Sequence, residues 1–143
     1  MSSLLITGSG SKFAAPLLRR LLPKFDKIIL LSKSSPARFI DDRITFLNFD
    51  LSLSHEIPVH ADVIIHLAAI VPYKHNREVE AEILGANIRC FLNVMRYSVS
   101  TGVQHVILIS STDIYPLNMS EVTGVDTPPQ PHNTYGLSKL ACE

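Results

Sequence analysis

Leu4-Leu5-Ile6-Thr7-Gly8-Ser9-Gly10-Ser11 is a short apolar run stopped by small residues, and Phe13, Leu17, Leu18, Leu21 and Leu22 recur behind it at helical spacing. The pattern is a buried strand, a small-residue loop and a helix. Pro16 costs little in a first helical turn, and Pro23 stops the helix. Such a unit points backbone N–H groups and a helix N-terminus at one spot, which is how a pyrophosphate is held. Any strand-turn-helix shares this outline, so ligand binding and plain connection both stay open at this point.

Working outward, Lys27 to Leu31 reads as strand two and Arg43 to Phe49 as strand three, each too apolar for a solvent-facing hairpin. A parallel sheet follows. In a dinucleotide fold an acidic residue ending strand two would bond the adenosine 2′-OH, but Ser32-Lys33 stand there. With Arg38 nearby, Lys33 would attract a 2′-phosphate, which points to NADP over NAD. Asp50 could cap the segment from Leu51 to Ile57 or approach an adenine from the side. Strand four, Val63-Ile64-Ile65, runs into His66-Leu67-Ala68-Ala69, whose alanines would let a cofactor backbone come close. His66 alone reads as a packed strand-end histidine.

Arg77 to about Ser100 reads as a long helix with Val79, Ile83, Ala86, Cys90 and Val94 on one stripe, and Gly102 breaks it. Asn87 is mildly unfavourable in mid-helix, which makes a local role plausible. His105 to Ile109 forms strand five, and Ser110-Ser111-Thr112-Asp113 lie past its carboxyl end, where open α/β sheets bind ligands. The stretch from Pro116 to His132 reads as a long loop edging a site. The fold expected is a Rossmann-type doubly wound parallel sheet.

At 143 residues and 46% hydrophobic composition the chain fits one domain with a real core. Lysine plus arginine equals aspartate plus glutamate at 13 each, so no net field attracts nucleic acid or an acidic membrane. Small-molecule partners are expected. Cys90 and Cys142 lie far apart, the six histidines show no metal-ligand spacing, and a reducing cytoplasm fits best. No apolar run reaches the roughly 18 residues of a membrane span. The sequon Asn118-Met119-Ser120 is read as chance.

Near the end stands Tyr135-Gly136-Leu137-Ser138-Lys139. With Thr134 as N-cap, Tyr135 and Lys139 share one helix face a turn apart. A nearby ammonium favours the phenolate and moves the phenol toward the working range of a base. Tyr135 could then accept or return a hydroxyl proton.

Taken together, the sequence resembles the extended short-chain dehydrogenase/reductase superfamily, in its NAD-dependent epimerase/dehydratase branch. The matches are Thr7-Gly8, Asp50-Leu51, the run from Asp62 to Ala69, Asn87, Ser110-Ser111 ahead of Ile114-Tyr115, and Tyr135 to Lys139 with Ala141 and Glu143. The resemblance implies a tetrad: Tyr135 as acid/base, Lys139 lowering its pKa and holding the nicotinamide ribose, Ser111 orienting the reacting oxygen, and Asn87 as structural or proton-relay support. Thr112 remains a substitute for Ser111. The implied cofactor site comprises Thr7, Gly8, Gly10, Ser11, Lys12, Phe13, Ser32, Lys33, Asp50, Leu51, Leu67, Ala68, Ala69, Tyr135 and Lys139. The implied substrate is a nucleotide sugar, and the implied assembly a homodimer.

Three departures stand out. Ser11 and Ala14 replace two glycines of the family's TGxxGxxG loop, and Ser11 is expected to need backbone angles that glycine meets more easily. Cys90 and Phe91 replace the usual Gly-Thr after the helix asparagine. Family members also continue into a C-terminal substrate domain, so residues 1–143 are expected to be the cofactor-binding part of a larger protein, inactive alone. Thr112-Asp113 supply one carboxylate where sugar 4,6-dehydratases carry an Asp-Glu pair, which disfavours dehydration. A non-catalytic dinucleotide-binding regulator or an inactive fragment is the alternative; the intact Tyr135 and Lys139 argue against a pure binding module.

Overall fold

The computed structural model describes residues 2–34, 41–72, 77–117, 124 and 126–143. Arg38, the sequon at 118–120 and much of the loop expected between Pro116 and His132 lie outside them. The described chain divides into two compact units, Met1–Ala69 with Cys90–Ile109, and Ile70–Arg89 with Ser110–Glu143.

The first unit is a five-stranded sheet. Its strands are β1 (Ser3–Thr7), β2 (Lys27–Ser32), β3 (Ile44–Asn48), β4 (Val63–His66) and β5 (His105–Leu108). They lie in the order β3-β2-β1-β4-β5, and every neighbouring pair is parallel. This is the Rossmann-like arrangement expected. Side chains alternate between faces, so the central strands need apolar residues at successive positions, and β1 is buried throughout. Leu4, Ile6, Ile28, Leu30 and Ile65 pack with Leu17, Leu18 and Leu21 of helix α1 (Ala14–Leu21). Leu5, Ile29, Leu31 and Ile64 form the other layer with Val94 and Tyr97 of helix α2 (Arg77–Thr101). Each such side chain contributes roughly 1.5–3 kcal/mol on burial.

Three details depart from expectation. Phe13 is 62% exposed at the N-cap of α1 and carries the Lys12 ammonium 5.3 Å above its ring, so it stands outside the apolar stripe. Val79 is likewise exposed on α2, while Ile83, Ala86 and Val94 are buried. Leu22, also expected in the helix, opens a 3-10 turn (Leu22–Lys24) into which Pro23 diverts the chain.

In the second unit the 3-10 turn Thr112–Ile114 packs against helix α3 (Thr134–Leu140). Among the described residues no helix is long and apolar enough to cross a membrane.

Candidate functional site: a strand-end loop and a Tyr-Lys helix

In the first unit, β1 ends beside β4, where the strand order reverses direction. Thr7 and His66 are register partners there, and Thr7 Oγ1 pairs with His66 Nδ1 at 2.7 Å. The Ala68 N–H donates to Thr7 Oγ1 at 3.3 Å. His66 is therefore a packed strand-end residue. Gly8 follows at φ +68°, and a Cβ on it would lie 2.6 Å from the Ala68 backbone. Only glycine meets both demands.

The expectation of strain at Ser11 is overturned, because no described non-glycine residue has positive φ. Ser11 instead builds the entry to α1. Its N–H donates to Gly8 O at 2.9 Å, its Oγ accepts from Phe13 N at 3.2 Å, and its carbonyl accepts from Ala14 N at 3.0 Å. No acidic residue stands in the first turn of α1. An anion at that helix end would meet no carboxylate from the helix itself.

At the end of β2, Ser32 accepts from Ser9 Oγ at 3.1 Å and donates to Ser34 O at 2.5 Å. Lys33 pairs with Asp50 at 3.1 Å. Asp50 also accepts from the Ser52 N–H and hydroxyl, at 2.9 and 2.6 Å, and so caps a short turn at the start of the segment from Leu51 to Ile57. The Ser52 hydroxyl is the largest of the influences that hold the Asp50 carboxyl below its usual range, with Lys33 adding to it. Leu51, expected at the cofactor, buries its side chain in the core and accepts from Asn93 Nδ2 at 2.7 Å. Leu67, Ala68 and Ala69 follow β4 half-buried.

The second unit holds Asn87, Ser111, Tyr135 and Lys139. Tyr135 and Lys139 share a face of α3, with the ammonium 5.9 Å from the ring centroid. The N-cap is Asn133 rather than Thr134: its Oδ1 accepts from Gly136 N at 2.7 Å, while Thr134 is already helical and donates to Glu80 at 3.3 Å. The Ser111 side chain favours the phenolate of Tyr135, while its Oγ accepts from Asp113 N at 3.2 Å. Thr112 is exposed. Burial outweighs the influence of Ser111, the Asp113 charge adds to burial, and the Tyr135 pKa goes up rather than down as the sequence suggested. Burial also lowers Lys139, which is 4% exposed, although Cys142 opposes the shift.

Asn87 is a tie. Its Oδ1 accepts from Ile70 N at 2.8 Å, and its Nδ2 donates to Ile70 O at 3.1 Å and to Ser138 Oγ at 3.0 Å. Ser138, wholly buried, donates in turn to Tyr135 O at 2.7 Å. Asn87 in mid-helix and a serine just before Lys139 are the sequence signals of this tie. Gly136 is equally constrained, since a Cβ would fall inside the Asp113 carbonyl. A hollow of about 400 Å³ in this unit is lined by Glu80, Pro131, His132, Asn133, Thr134 and Leu137.

Comparison with protein families matches residues 4–143 to the NAD dependent epimerase/dehydratase family. The chain belongs to that family. Solved structures agree on the fold of this epimerase/dehydratase chain. A uronate dehydrogenase from Agrobacterium tumefaciens is 26% identical, with TM-score 0.81, over 99% of this chain and 53% of that one. A dTDP-glucose 4,6-dehydratase from Streptomyces venezuelae, solved with NAD and TYD bound, is 22% identical with TM-score 0.85, over 98% of this chain and 49% of that one. A UDP-glucose 4-epimerase from Thermotoga maritima, solved with UDP-glucose, is 20% identical with TM-score 0.83, over 98% and 48% respectively. The epimerase/dehydratase chain thus spans about half the length of these structures. A comparison with curated protein sequences finds no match.

Proposed function

We propose that residues 1–143 are the NAD(P)-binding part of an epimerase or related reductase acting on a nucleotide sugar or a similar hydroxyl or carbonyl compound, with the substrate-binding part supplied by further residues. The observation that carries this reading is the placing of Tyr135 and Lys139 on one face of α3, with the ammonium 5.9 Å from the ring centroid; the Ser111 side chain adds an influence that favours the phenolate. When bound, the nicotinamide supplies the hydride acceptor and donor.

Thr7, Gly8, Gly10, Ser11, Lys12 and Phe13 would hold the pyrophosphate, and Leu67, Ala68 and Ala69 would flank it. Ser32, Lys33 and Asp50 would meet the adenosine end, where a preference for NADP over NAD rests on Lys33. Tyr135 accepts or returns the substrate hydroxyl proton, Ser111 orients that oxygen, and Lys139 opposes the cost of the phenolate in its buried setting. Asn87 acts through Ser138, holding the turn of α3 that carries both groups. The family's dimeric assembly is carried over as part of the proposal.

Single-turnover hydride transfer in the full-length protein, followed by nicotinamide absorbance, tests this. Tyr135→Phe should abolish transfer while leaving cofactor affinity within about twofold, because the ring stays and only the proton acceptor goes. Cofactor binding with no transfer in the parent would favour a dinucleotide-binding regulator.

A further inference from the structure

We infer that Asn133 is a positioning residue that fastens the Asp113 carboxylate to the helical turn carrying Tyr135 while it starts helix α3. The inference rests on reading Tyr135 as the proton-handling group. Asn133 has extended backbone at φ −148° and ψ 168°, and its amide is engaged through both its oxygen and its nitrogen. Oδ1 accepts from Gly136 N at 2.7 Å, and Nδ2 donates to Asp113 Oδ2 at 3.1 Å and to His132 Nε2 at 3.0 Å. His132 Nδ1 lies 3.0 Å from Tyr115 O, a carbonyl that only accepts. The proton therefore sits on Nδ1 and leaves Nε2 as the acceptor that Asn133 meets.

Serine or aspartate caps a helix about as well as asparagine, so capping alone does not call for this side chain. The two amide donors do. They join the 3-10 turn to the first turn of α3, where the Asp113 backbone already lies against Gly136. Three groups then act on the phenol: the Asp113 charge opposes its ionisation, the Ser111 side chain favours it, and Lys139 lies 5.9 Å from the ring centroid on its own helix. Asn133 decides how firmly the first of these is held.

The test titrates Tyr135 in the chain carrying ¹³C-labelled tyrosine, with its resonance assigned through Tyr135→Phe. Asp113→Asn should lower the midpoint. Asn133→Ser keeps the cap and loses both donors, so the carboxylate swings away and the midpoint should fall by about half that shift or more, with little added in the double variant. An unchanged midpoint in Asn133→Ser, or fully additive shifts, would overturn the inference. If Asn133→Ser does not fold, Asn133→Asp keeps the cap oxygen and sets a second carboxylate against Asp113. It should raise the midpoint in the Asp113→Asn background, where its own charge is read alone, by less than Asp113 itself does; an equal or larger rise would overturn the inference. Because titration needs no turnover, a coupled midpoint in a protein without hydride transfer would sink the catalytic reading alone.

Discussion

The Lys33 ammonium lies 3.1 Å from the Asp50 carboxylate, so the cation proposed to attract a 2′-phosphate already has an anionic partner at the ends of β2 and β3. The lysine side chain is 67% exposed, which keeps the pair weak and exchangeable. Asp50→Asn should raise the ratio of NADP to NAD affinity by about threefold to fivefold, the size of one exposed ion pair. Lys33→Glu should reverse the preference. Calorimetry with both cofactors reads the ratio, and a ratio indifferent to both variants removes Lys33 from the site.

Ser11→Gly should not tighten cofactor binding. Serine already sits at an unstrained φ and its hydroxyl accepts from Phe13 N, so the variant gains freedom only in the unfolded chain and loses a bond. A stability loss of about 0.5–1 kcal/mol in urea is expected. Tighter binding would show that the loop changes its angles around the ligand.

Gly136→Ala places a methyl group inside the Asp113 carbonyl, and backbone cannot yield as a flexible side chain can. A loss of about 1–3 kcal/mol is expected, together with displacement of α3. Chemical denaturation measures the loss, and the Tyr135 resonance reports the displacement.

Asp62 ties the start of β1, accepting from the Ser3 hydroxyl and N–H at 2.7 Å each, and these bonds hold its carboxyl below its ordinary value of 3.8. A depressed acid contributes stability that is fully present above its unfolded pKa and lost as pH falls through the folded one. The stability gap between the native chain and Asp62→Asn should therefore be flat near neutrality and shrink below pH 3.8. A gap unchanged into acid would mean that Asp62 does not sense folding.

Lys139→Met should harm both turnover and cofactor affinity in the full-length protein, because it removes a charge beside the phenol and the proposed ribose anchor together. Burial depresses the lysine, so its native form gives up its proton before the unfolded chain does. That group's contribution should make stability rise with pH through the interval below 10.5, a slope that the methionine variant lacks. Equal slopes would place the ammonium in water.

What the sequence determined by itself is the sheet and the order of its parts. Continuous apolar runs such as Ile28 to Leu31, separated by a helical stripe, can be buried on two faces only in a parallel, doubly covered layer. The spacing of Tyr135 and Lys139 likewise follows from helical geometry, which is local. What needed tertiary structure were effects set by distant neighbours. Lys33 meets Asp50, Gly136 meets the Asp113 backbone, Asn133 caps α3 while its Nδ2 meets Asp113 and His132, and Asn87 ties Ile70 to Ser138. The direction of the Tyr135 shift belongs to the same class. An adjacent lysine is visible in one dimension, but desolvation depends on everything packed around the phenol, and no spacing encodes that.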